Sequence, residues 1–182
     1  MKLENLCVYC GSSDGREDLY LDAAIRLGAV LAREKVGLVY GGASIGLMGA
    51  LARSVLEGGG KVTGVIPDFL QRAEVMMPDV SELVVTGSMH ERKWDMFSRS
   101  QAFVALPGGI GTLEEVIEML TWAQLGRHSY PIIFANIGGF WNPLIELIEH
   151  MIETGFVRSN LRSVFGVVDR VEDILPRVRA GL

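Results

Sequence analysis

The chain has 182 residues, 49% of them hydrophobic and 21% charged, with a net charge of −5 and a pI near 5.2. These values fit one globular domain large enough to bury a core, and they exclude the broad basic face that nucleic-acid binding requires. The longest apolar runs are strand-sized, so no membrane span is expected, and Met1-Lys-Leu-Glu-Asn5 lacks the features of a signal peptide, so a cytoplasmic protein is expected.

In chain order, strand and helix patterns alternate. Leu6 to Cys10 is a first strand, followed by a turn from Gly11 to Gly15. A helix over about Asp18 to Lys35 carries apolar residues at Ile25, Leu27, Val30 and Leu31, and Gly37 follows its end. Val36 to Tyr40 is a second strand, and Gly41-Gly42 opens a second glycine turn. The next helix, about Ile45 to Leu56, stops at Gly58-Gly-Gly60. Lys61 to Ile66 is a third strand closed by Pro67, and residues 68–81 are expected to form a long loop or short helix. Glu82 to Thr86 is a fourth strand, followed by a helix over about Met89 to Ser100. Ala102 to Leu106 is a fifth strand that breaks into a glycine-rich turn and another helix. Tyr130 to Ala135, a helix over about Asn142 to Glu153, Val164 to Val168 and a helix over about Val171 to Ala180 complete the chain.

Continuous apolar strands alternating with helices predict the α/β class: a single Rossmann-like, doubly wound domain with a parallel sheet of about seven strands flanked by helices. Ligands in such a fold sit at the carboxyl ends of the strands. Cys7 and Cys10 form a C-x-x-C within a strand, where residues three apart point to opposite faces, so neither a disulfide nor a shared metal is expected. The histidines His90, His128 and His150 lack metal-ligand spacing, and no metal or cofactor is expected.

Most of the chemical information lies in Leu106-Pro-Gly-Gly-Ile-Gly-Thr-Leu-Glu-Glu115. Glycines allow positive φ and can turn several N–H groups toward one point. The helix start behind them adds free N–H groups and the positive end of its dipole, which together make an anion site suited to phosphate. The dinucleotide fingerprint fails, because Gly109-Ile-Gly111 is followed by Thr112, Leu113 and Glu114 and stands after the fifth strand instead of the first. Gly58-Gly-Gly-Lys61 is followed by Val62 and fails the Walker spacing. A monophosphate-sized site remains.

Glu115 has two readings. Thr112-Leu-Glu-Glu115 fits a capping box with Thr112 at the N-cap. Against this, Leu113, Val116, Ile117 and Leu120 form a sheet-facing stripe, while Glu115, Met119 and Trp122 form a second stripe on roughly the opposite side. A helix covered on two faces would place Glu115 against a ligand or partner subunit. Met89-His-Glu-Arg-Lys93 reads either as a solvated charged turn or as a cationic partner for the glycine turn. With the fourth and fifth strands side by side or one apart, Arg92 would come near Gly109 to Thr112. Arginine offers a fixed fork of donors suited to phosphate or a ring-nitrogen edge, and lysine offers a point charge. His90 is expected in a packing or surface role. Ser12, Ser13, Gly41, Gly42 and Ser44 could line the same cleft, although tight turn packing is the simpler explanation for most of them.

Pro107 to Glu115, preceded by Met89-His-Glu-Arg-Lys93, resembles the Lonely Guy family of cytokinin riboside 5′-monophosphate phosphoribohydrolases. Cys10-Gly-Ser-Ser13, Tyr40-Gly-Gly42, Gly46-Leu-Met-Gly49 and Gly64-Val-Ile-Pro67 match in the right order. Members have carried the label lysine decarboxylase, which needs a pyridoxal-phosphate lysine site that the sequence does not support. The resemblance implies hydrolysis of an adenosine 5′-monophosphate, N6-substituted or plain, to free base and ribose 5-phosphate. It makes Arg92 and Glu115 the catalytic pair. It also places Lys93, Gly108, Gly109, Gly111 and Thr112 at the phosphate and ribose, with Ile110, Leu113 and Glu114 in the same stretch and Glu74 and Thr121 around the substrate. It further implies a homodimer, which Trp94, Met96 and Phe97, read as exposed, would fit. A non-catalytic nucleotide-binding or carrier module is the alternative, and the presence of both Arg92 and Glu115 weighs against it.

Overall fold

The computed structural model describes residues 2–70 and 76–181. Its strands are β1 (Asn5–Tyr9), β2 (Gly37–Tyr40), β3 (Val62–Pro67), β4 (Glu82–Thr86), β5 (Ala102–Ala105), β6 (Ile132–Ala135) and β7 (Phe165–Val168). They pair in parallel throughout, in one seven-stranded sheet of order β4-β3-β2-β1-β5-β6-β7. Every residue of β2, β5 and β6 is buried, as continuous apolar runs require when both faces are covered. The edge strands expose Val85 and Val167.

Helices α1 (Asp18–Arg33), α2 (Gly46–Glu57), α3 (Met89–Ser98), α4 (Ile110–Gln124), α5 (Asn142–Glu153) and α6 (Ile174–Ala180) cover the sheet. On one face, Leu27 and Leu31 of α1, Leu47 and Leu51 of α2, and Leu175 and Val178 of α6 form one core with Cys10. On the other, Met96 of α3, Val116 and Met119 of α4, and Ile148 of α5 form a second core with Cys7 and Tyr9. The two cysteines thus lie in different cores, both buried and unbridged. Burial pushes both thiols well above their usual range. Among the described residues, no helix is long and apolar enough to cross a membrane.

Two local expectations change. The end of α1 is turned by Lys35 in the left-handed region (φ 56), and Gly37 is instead the first residue of β2. A Cβ at Gly37 would strike Oδ1 of Asn5 on the neighbouring strand. Within the segment 68–81, Asp68–Leu70 forms a short 3-10 turn, and Met76 returns to make an isolated antiparallel bridge with Ala43.

The larger correction concerns strand order. β4 is an edge strand, and β3, β2 and β1 separate it from β5, so the two are neither adjacent nor one apart. The chain leaves β1 toward one edge, then crosses back from β4 to β5 on the opposite face. A right-handed crossover of that length carries α3 over the sheet and sets it beside α4. This crossover brings the charged segment to the acids of α4, Glu114, Glu115 and Glu118, although their strands do not pair.

His128, just past α4, packs with Phe97, Phe103 and Tyr130. Its Nε2 lies 3.0 Å from the Met119 carbonyl, and its Nδ1 accepts from the Tyr130 N–H at 3.1 Å, an arrangement that needs the neutral ring. Burial holds its pKa below the ordinary imidazole value, and the bond to Met119 opposes this only in part. The unfolded chain then takes up the proton first as pH falls, so this group's stabilisation is complete above about pH 6.5 and is lost below it. Urea unfolding at a series of pH values should show the wild type losing stability below about pH 6.5 more steeply than His128→Gln.

Candidate active site

The direction of winding reverses between β1 and β5, which leaves a crevice at the carboxyl ends of these strands. The two turns that border it are tied together. The Gly11 N–H donates to the Pro107 carbonyl at 3.1 Å, and the Gly11 carbonyl accepts from the Met48 N–H at 3.2 Å. Close approach makes Gly108 necessary: a Cβ there would strike Oγ1 of Thr112 and come within 2.8 Å of the Gly11 nitrogen.

The other glycines of the motif have a different reason. None of Gly108, Gly109 and Gly111 adopts positive φ, contrary to expectation; that conformation occurs at Gly42 and Gly46 across the crevice. A Cβ at Gly109 or Gly111 would meet nothing within 4 Å. Their bareness therefore leaves open space beside the first turn of α4. There the leading N–H groups have no intrahelical acceptor and the helix dipole is positive.

The capping-box reading of Glu115 does not hold. The N-cap of α4 is Gly109, which places Thr112 at the third helical position, too late to cap. Instead a related cap closes the start of α3, with the acid accepting from Gly87, one residue before the N-cap Ser88. Ser88 Oγ accepts from the Glu91 N–H at 3.2 Å, and the Glu91 carboxylate accepts from the Gly87 N–H at 2.8 Å. The pattern Ser88-Met-His-Glu91 was the signal for this cap. It fixes the turn from which Arg92 projects, while His90 stays exposed.

Arg92 is 5% exposed and reaches three elements. Its Nε donates to the Val65 carbonyl at 3.1 Å, its Nη2 to the Gly41 carbonyl at 3.3 Å, and its Nη1 lies 3.1 Å from Oε1 of Glu115. Glu115 is 8% exposed. A planar fork of donors suits this three-way arrangement in a way that an ammonium does not. The pairing also explains why α4 does not carry two separate covered faces. Thr112, Glu115, Val116, Met119 and Leu120 form one continuous buried face, with Leu113 and Ile117 half-buried on its flank. Glu115 can lie inside because a guanidinium meets it there.

Lys93 turns to α4 instead, 2.6 Å from Glu114 and 3.1 Å from Glu118. Burial lowers its pKa, but the hydrogen bonds to these carboxylates together outweigh burial and hold the ammonium above its usual range. Glu118 lies one turn beyond Glu114, so the i, i+4 spacing of the two acids was the signal for its role in joining α3 to α4.

Ile110 is exposed at the mouth of the crevice. Thr121 is exposed and donates to the Ile117 carbonyl at 2.8 Å. Nine residues beyond Thr112 and half a turn around, it lies about 13 Å down the helix from the glycine turn. Glu74 lies outside the described residues. Along α3, Trp94 is 60% exposed and rests against Trp122, whereas Met96, expected on the surface, is buried in the core under α3.

A family model described as "Possible lysine decarboxylase" matches residues 48–178. The cytokinin riboside 5′-monophosphate phosphoribohydrolase LOG1 of Arabidopsis thaliana is 44% identical over 183 residues, covering 97% of this chain and 86% of that protein. The phosphoribohydrolase LOG of Oryza sativa subsp. japonica is 42% identical over 188 residues, covering 100% and 78%. Among solved structures, the Moco carrier protein from Chlamydomonas reinhardtii superposes with a TM-score of 0.73 at 22% identity, covering 98% of this chain and 97% of the other. The molybdenum cofactor binding protein of Rippkaea orientalis gives 0.70 at 18%, covering 99% and 98%. At these identities the structural likeness shows the fold alone.

The description of the family model names a chemistry that the lysines here do not fit. A pyridoxal-phosphate lysine needs an amine that readily becomes neutral. Of the four lysines, Lys2, Lys35 and Lys61 are exposed, and Lys93 is held as an ammonium by two carboxylates.

Proposed function

The chain belongs to the family of cytokinin riboside 5′-monophosphate phosphoribohydrolases, and from that premise we propose that it hydrolyses adenosine 5′-monophosphates, N6-substituted or plain, to free base and ribose 5-phosphate. The observation that carries this reading is the buried Arg92–Glu115 pair beside the open first turn of α4.

The phosphate sits on the N–H groups of Gly109 to Thr112, where Gly109 and Gly111 give it room. That remote contact positions the sugar for attack. The bond from C1′ to the base nitrogen breaks with its electron pair leaving on the base, and the sugar becomes oxocarbenium-like. The Glu115 carboxylate stabilises this positive charge and accepts a proton from the water whose oxygen bonds to C1′. Arg92 orients Glu115 and offsets negative charge developing on the departing base. Lys93, Glu114, Ile110 and Leu113 frame the pocket beside this pair, and Glu74 belongs to the substrate contacts.

Thr121 faces outward on α4, so it meets a nucleotide only across a contact with a second copy of the chain. The apolar surface of exposed Trp94 and Leu125, with half-buried Trp122 between helices α3 and α4, supplies that contact in a homodimer. The cytoplasm is the compartment proposed for it.

Chromatography after incubation with AMP or isopentenyladenosine monophosphate should show free base and ribose 5-phosphate. Glu115→Gln should slow release by about 10²-fold or more. No free base from either nucleotide, with the ligand bound and unchanged, would replace hydrolysis with a carrier role. Light scattering should give twice the 19.9 kDa chain mass, and Trp94→Glu should shift it toward the monomer; a monomeric wild type would contradict the dimer.

A further inference from the structure

We propose that Gly41 is a positioning residue for Arg92, because its missing side chain is the space in which the guanidinium rests. The proposal builds on the reading of Arg92 as part of the reacting centre.

Tyr40-Gly41-Gly42 ends β2, and its two glycines serve different needs. Gly42 has φ +84, a conformation that L side chains rarely adopt. Gly41 is not in the left-handed region, so its backbone would accept alanine. What forbids a side chain at Gly41 is its surroundings. A Cβ there would fall on Nη2 of Arg92 and within 2.8 Å of Sδ of Met48.

The register of the sheet builds this seat. Tyr40 pairs with Gly64, so the register carries Gly41, just past the end of β2, alongside Val65 within β3. Both carbonyls accept from Arg92, Val65 from Nε and Gly41 from Nη2, and the third edge of the guanidinium meets Glu115. The two carbonyls therefore set the distance of the guanidinium from the sheet, and the bare Cα of Gly41 permits it. Both obstructed atoms lie at or next to the ends of flexible side chains, so alanine is accommodated by moving them, with the strand end intact. Moving Nη2 off the Gly41 carbonyl tilts the rigid guanidinium plane and withdraws Nη1 from Glu115.

Gly41→Ala tests this. Its kcat/KM for AMP should fall by about 10²-fold, the scale of an ångström-sized misplacement in a reacting centre. In an Arg92→Ala background, the same change should cost less than about twofold, because the group it displaces is already gone. In a Met48→Ala background, the loss should persist. Independently of activity, the Arg92 Nε–H donates to the Val65 carbonyl, so its resonance should be protected from exchange in the wild type and should lose that protection in Gly41→Ala. An equal loss in the Arg92→Ala background, its disappearance in the Met48→Ala background, or an unchanged Nε–H resonance would overturn the proposal. If Gly41→Ala does not fold, folding restored by adding Arg92→Ala supports the clash with the guanidinium, and continued failure overturns it. A wild type that releases no base removes the hydrolase reading alone, and the Nε–H measurement still decides the role of Gly41.

Discussion

A guanidinium and a carboxylate 3.1 Å apart, both nearly out of reach of solvent, hold the crevice of this protein together. Removing two charges from water costs several kcal/mol per ion, of order, and their mutual attraction offsets this only where the remaining hydrogen bonds are also met. Arg92 meets that condition by giving two further N–H groups to the carbonyls of Val65 and Gly41. One side chain thus ties α3 to α4, to the end of β2 and to the middle of β3. A carboxylate held this way stands beside the open start of α4 without needing a metal to orient it.

The pair exists because of how the sheet is wound. β4 lies at the edge, so the crossover to β5 must pass over three strands before α4 begins. That passage lays α3 against α4, where Lys93 with Glu114 and Glu118 makes a second, less buried join. The crevice is lined from four separate parts of the chain: the turn after β1, the turn after β2, the start of α3, and the turn after β5. Hydrogen bonding between Gly11 and Pro107 closes the gap between the first and the last of these.

Much of this architecture was legible locally. β4 and α5 begin and end where the sequence places them, since alternation, apolar spacing and stop signals are all short-range. The opposite facing of Cys7 and Cys10 followed from strand geometry alone. Strand order was not legible, because which strands pair depends on contacts far apart in the chain; the expected nearness of β4 and β5 failed for that reason. Arg92 does reach α4, at Glu115, by a crossover that strand adjacency does not supply. The capping pattern at Thr112 goes unused, because the N-cap of α4 stands three residues earlier at Gly109, whereas the matching pattern at Ser88 does cap α3. The two stripes assigned to α4 merge into one buried face because Glu115 is paired, and pairing cannot be read from the spacing of a single helix. The need for glycine at Gly41 lies in side chains from elsewhere in the chain, Met48 of α2 and above all Arg92, 51 residues away.

The central claim is geometric: the Arg92–Glu115 pair and the start of α4 together hold one nucleotide with its glycosidic carbon at the carboxylate. A crystal structure of Glu115→Gln soaked with AMP measures that directly. The account predicts the phosphate on the N–H groups of Gly109 to Thr112 and C1′ about 3.5 Å from the residue-115 side chain or from a water it holds. A nucleotide seated elsewhere, or one bound at α4 with C1′ turned away from residue 115, would contradict it.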